Sequence, residues 1–82
     1  MVDKRLLKAK MAEYGDRQED LAAAIGMTAA TLSVKINGIT EFKPSEIEQI
    51  ALRYRLTAEE IQKIFFANTV NLQVTVVEKS VT

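Results

Sequence analysis

The stretch that decides the fold runs Gln18-Glu-Asp-Leu-Ala-Ala-Ala-Ile-Gly-Met-Thr-Ala-Ala-Thr-Leu-Ser-Val-Lys-Ile-Asn-Gly38. Leu21, Ala22 and Ile25 fall on one face of a short helix, and Gly26 closes it as a C-terminal stop. Only Met27 separates that glycine from Thr28, a residue suited to cap a second helix over Ala29 to Ile36. Leu32 and Ile36, one turn apart, anchor this second helix to a core and leave its opposite face outward. Ala22 is small where the two helices should cross. Gly26 can take the left-handed backbone conformation that a sharp turn requires. Upstream, Asp16-Arg17-Gln18-Glu19 has a capping-box arrangement that predicts Asp16 as the N-cap of the first of these helices.

Working outward, residues 3–14 place Leu7, Met11 and Tyr14 at helical spacing with Leu6 beside them, and Gly15 ends the segment. Lys4, Arg5, Lys8 and Lys10 spread around that helix and read as a solvated face. Downstream, Asn37-Gly38 stops the second motif helix, and Ile39 to Lys43 form a connecting loop. Pro44 suits the first position of a further helix, whose buried face is Ile47, Ile50, Ala51 and Tyr54. Thr57-Ala58-Glu59-Glu60 is a second capping box, and Leu56 with Ile61 can form its hydrophobic staple. Ile64 and Phe65 continue that last helix to about residue 67. Beyond it the period changes. Val70, Leu72, Val74 and Val76 alternate with polar residues, the signature of a strand. The expected architecture is all-α: five helices over residues 1–67, then a short C-terminal β-strand within residues 68–82.

Composition sets further bounds. A chain of 82 residues holds one small domain. It has no cysteine and no histidine, so disulfides, thiolate metal sites and the commonest general base are all excluded. No pair of carboxylates, lysines or hydroxyl residues stands at a spacing that suggests a catalytic site, and no glycine-rich phosphate loop occurs. The sequence implies no enzyme, no cofactor, no metal and no small-molecule substrate. No apolar run approaches a membrane span, and Met1-Val-Asp-Lys-Arg lacks a signal-peptide core, so the expected location is cytoplasmic. Eleven basic residues balance eleven acidic ones.

With those residues in view, the segment from Gln18 to Gly38 resembles the lambda-repressor/Cro type of helix-turn-helix, the XRE family. The resemblance covers roughly residues 3–67 and is most specific over 17–38. It implies a five-helix domain that binds a double-stranded DNA operator as a dimer, in the manner of phage and bacterial transcriptional regulators. By matched position, Gln18 would bond a phosphate at the start of the first motif helix. Thr28, Ala29, Ala30 and Val34 would face base edges, with Thr31, Ser33 and Lys35 near enough to reach bases or phosphates. Asn37, the backbone after Gly38, Thr40 and Lys43 would follow the sugar-phosphate strand. Members of the family often carry Gln at the positions of Ala29 and Ala30, where an amide bonds adenine at two points. Here both are methyl groups, and Val34 is apolar too. A dimer through the strand, paired across a two-fold axis by Val70, Leu72, Val74 and Val76, would suit a palindromic site; the alternatives are that the strand folds back on its own helices or stays disordered until a partner arrives. The competing reading is a protein-interaction module that keeps the fold, such as an antitoxin or anti-repressor, which zero net charge favours.

Overall fold

The computed structural model describes residues 2–67 as five helices: α1 Lys4–Glu13, α2 Gln18–Ala24, α3 Ala29–Ile36, α4 Pro44–Tyr54 and α5 Ala58–Phe65. The strand expected at residues 70–76 lies outside the described residues. Each helix start has a local cause. Asp3 accepts the N–H groups of Arg5 and Leu6, and Thr28 accepts that of Thr31. Thr57 and Glu60 form the full reciprocal box, each accepting the other's backbone N–H.

The stops of the first four helices share one device. After α2, the Gly26 N–H donates to the Ala23 carbonyl and the Met27 N–H to that of Ala22, at 3.3 and 2.9 Å. Gly26 holds φ at 79°, and no other described residue beyond its two chain neighbours lies within 4 Å of where a Cβ would stand. This Schellman arrangement satisfies two orphan carbonyls and swings the chain directly into α3. The turns at Gly15 and Gly38 repeat the bond pattern. At the end of α4 the same left-handed position is filled by Arg55, at φ 52°.

One core unites all five helices: Leu7 and Met11, Leu21, Ala22 and Ile25, Leu32 and Ile36, Ile50 and Tyr54, Ile64 and Phe65. Phe42, from the α3–α4 loop, packs edge-on against Phe65 with ring centroids 5.4 Å apart. Ile47, Leu56 and Ile61 border this core and are only half-buried. Tyr14 is not a core residue as its spacing predicted; it is 44% exposed. Its ring leans on that of Tyr54 at 5.0 Å, and its hydroxyl donates to the Tyr54 carbonyl, so solvent keeps one edge.

The expected cap of α2 needs correction by one residue. Arg17 is the N-cap, and its N–H donates to the Asp20 carboxylate at 2.9 Å. Asp16 has better partners elsewhere. Its carboxylate accepts from Arg53 Nε at 2.7 Å, from Arg53 Nη2 at 2.9 Å and from the Tyr54 hydroxyl at 2.6 Å. A two-pronged guanidinium bond outweighs a single cap hydrogen bond, and it ties the α1–α2 turn to the end of α4. Arg53 and then Tyr54 hold the Asp16 carboxyl down at about 2, against an ordinary 3.8. Burial pushes the Tyr54 hydroxyl upward, and its bond to Asp16 adds to the effect.

Two consequences are measurable. Asp16 titrates lower in the folded chain, so its contribution is complete above about pH 5 and is lost as acid carries the solution through the unfolded and then the folded value. Asp16→Asn should lower stability near neutrality by about 1–2 kcal/mol, partly screened because Arg53 is half-exposed. It should also flatten the acid limb of a denaturation series, and an unaltered limb would show that the clasp contributes nothing. Ala22, 1% exposed on α2, is the residue expected at the crossing with α3. Ala22→Leu should overpack it at a cost of about 1–3 kcal/mol, and an unchanged melting temperature would refute that crossing.

Candidate nucleic-acid interface

The outward surface of α3 follows from its anchoring. Leu32 and Ile36 are buried, so the opposite side carries Ala30, Val34 and Asn37 at spacings of four and three residues. Thr28, Ala29, Ala30 and Thr31, the first turn, are exposed, while Ser33 and Val34 are half-buried. Gln18 is the first residue of α2 and half-buried. Thr40 and Lys43 are exposed on the α3–α4 loop, where Lys43 is the N-cap of α4.

Lys35 departs from expectation. It is 8% exposed and turns inward, away from the surface that its position near the motif suggested. Its ammonium pairs with Glu46 at 3.0 Å and donates to the Glu41 carbonyl at 3.1 Å. Glu46 also accepts the Lys43 N–H at 2.8 Å. Burial raises the Glu46 pKa, but the Lys43 N–H and the Lys35 ammonium outweigh burial and keep it below the ordinary value. This ion pair braces α3, the following loop and the start of α4 together. A lysine so engaged is a strut, and it leaves the set of candidate contacts.

A cation from another helix takes up a place at the surface. Lys4 Nζ donates to Asn37 Oδ1 at 3.2 Å, across 33 residues of sequence. Lys8 lies one turn along the same side of α1, and both are exposed. Neither was separable in the sequence from an ordinary solvated face, because only the packing of α1 shows that Lys4 meets the end of α3. Lys10 differs from them. Its bonds to Glu60 at 3.0 Å and Glu13 at 3.5 Å raise its pKa, and both carboxylates offset its charge.

The polar groups of the α3 surface are largely engaged with one another. The Thr28 hydroxyl accepts from the Thr31 N–H and donates to the Thr31 hydroxyl oxygen at 3.0 Å. Asn37 Nδ2 donates to the Ser33 carbonyl at 2.9 Å, with a longer approach to the Ser33 hydroxyl oxygen at 3.4 Å. Among the described residues, no charged side chain lies on α3 other than Lys35. No helix among the described residues is long and apolar enough to cross a membrane.

A capped α2, a glycine turn and an α3 held by two buried residues form the geometry of a helix-turn-helix. A family model described as helix-turn-helix matches residues 7–61, which spans α1 to the middle of α5. No curated protein and no solved structure matches at a significant level. The family is one of DNA-binding domains, not of enzymes. With the five-helix order and the α2–α3 turn, that match makes the chain a member of the XRE-type helix-turn-helix family, and so a DNA-binding regulator.

Proposed function

We propose that the chain is a small repressor- or Cro-like regulator that sets α3 in the major groove of an operator. One observation carries this reading: the first turn of α3 stands exposed while Leu32 and Ile36 fix the helix from behind. The B-DNA major groove is wide enough to admit a helix presented in this way. Thr28, Ala29, Ala30, Thr31, Ser33 and Val34 face base edges. Gln18, Asn37, the backbone after Gly38, Thr40 and Lys43 follow the phosphates, and Lys4 joins them beside Asn37. Phosphate contacts fix register, and groove contacts choose sequence.

Two copies act together on a palindrome. The alternating Val70, Leu72, Val74 and Val76 supply the contact between them, which would place two recognition helices about 34 Å apart, one turn of DNA. The neutral surface of α3 favours a second reading, in which the chain works by binding another protein.

Fluorescence anisotropy against random and selected duplexes separates the two. Binding should weaken steeply with salt, and Lys4→Ala should weaken it on every duplex while lowering the salt slope by about one. Gln18→Ala should also weaken binding across sequences, with little effect on preference. Absence of duplex binding by the intact chain at low salt would refute the regulator reading and leave the protein-interaction module. A chain ending at residue 67 should remain helical, sediment as a monomer and bind a palindromic site far more weakly. Undiminished dimerisation of that shorter chain would place the interface on the helices.

A further inference from the structure

We propose that α3 selects its site through the C5-methyl groups of pyrimidines, so that the ligand class is duplex DNA carrying thymine or 5-methylcytosine at the contacted positions. The proposal rests on the DNA-binding reading above and specifies what that surface recognises.

Reading a base by hydrogen bonding needs side-chain donors or acceptors with free capacity. The polar side chains of α3 and its two caps have little left. The Thr28 hydroxyl spends its proton on Thr31 and accepts the Thr31 N–H. Asn37 is held at both ends, its Nδ2 by the Ser33 carbonyl and its Oδ1 by Lys4. The Lys35 ammonium is turned away to Glu46 and the Glu41 carbonyl. Among the described residues, what remains uncommitted, besides spare lone pairs on the Thr31, Ser33 and Asn37 oxygens, are the hydroxyl protons of Thr31 and Ser33.

Between them lie the methyls of Ala30 and Val34, with Ala29 beside them on the exposed first turn. Pressed against a base edge, these groups would strip water from any amine or carbonyl they cover and return no hydrogen bond, an unfavourable exchange. Against a C5-methyl they bury apolar surface on both sides instead. In the major groove thymine alone of the four standard bases presents a methyl, and 5-methylcytosine presents the same group above cytosine's hydrogen-bonding edge. The surface thus sorts bases by a methyl group.

Base analogues test this without altering the protein. A site selected from random duplexes by the intact chain is synthesised with thymines of the contacted steps replaced by deoxyuridine, which keeps every hydrogen-bonding group and removes only the methyl. The uracil duplex should bind about fourfold more weakly for each buried methyl lost. Restoring the methyl as 5-methylcytosine, at cytosines placed in the same positions, should strengthen binding by a similar factor over plain cytosine. Val34→Ala should shrink the thymine-to-uracil ratio while binding persists. Equal affinity for thymine and uracil duplexes would overturn methyl recognition and leave DNA binding standing. Failure to bind any duplex at low salt would overturn both.

Discussion

The constraint on which the rest depends is the close passage of α2 over α3. The Met27 N–H reaches back to the Ala22 carbonyl, and the side chain of that same Ala22 is buried in the core. With so short a connection, α3 has little choice of direction. Leu32 and Ile36 then fix its rotation about its own axis, and the Lys35–Glu46 pair fixes its far end to α4. A helix held at its start, along its back and at its end is a rigid platform. That rigidity suits a surface made of methyl groups, whose contacts are short-ranged and tolerate little misplacement.

Charge is organised by the same economy of local use. Asp3 caps α1, and Asp20, Glu46 and Glu60 each accept an N-cap N–H from the first turn of their own helix. Negative charge in a first turn also complements the helix dipole. Asp16 is spent on Arg53 and Tyr54. These carboxylates therefore serve the scaffold, while Lys4 stays exposed beside the end of α3 and Lys8 is exposed one turn further along α1. A net charge of zero and a locally cationic edge coexist because the two populations occupy different places.

Much of the scaffold was legible because its signals are local. Gly26, Thr28, Pro44 and the Thr57–Glu60 box act within a few residues of themselves, and each stands where its chemistry predicts. What sequence could not show were preferences settled across the fold. Asp16 looked like a cap because Glu19 stands three residues on, but Arg53, 37 residues away, claims its carboxylate. Lys35 looked like a surface cation until Glu46 drew it inward. Lys4 gained a role only through the packing of α1 beside Asn37. In each case a charged or polar partner on another element settled where the side chain went, and helical periodicity carries no information on that choice.

The turn at Gly26 has one more consequence. Among the described residues, nothing beyond Gly26 and its two chain neighbours lies within 4 Å of the missing Cβ, so the position asks for a handedness of backbone and not for room. An L-residue there must adopt a conformation it resists, whereas a mirror-image residue prefers it. In a chemically synthesised chain, D-alanine at position 26 would enter the open space without clash and restrict the unfolded backbone. The joint that aims α3 is thus limited by the stereochemistry available to ribosomal synthesis, and glycine is the achiral compromise.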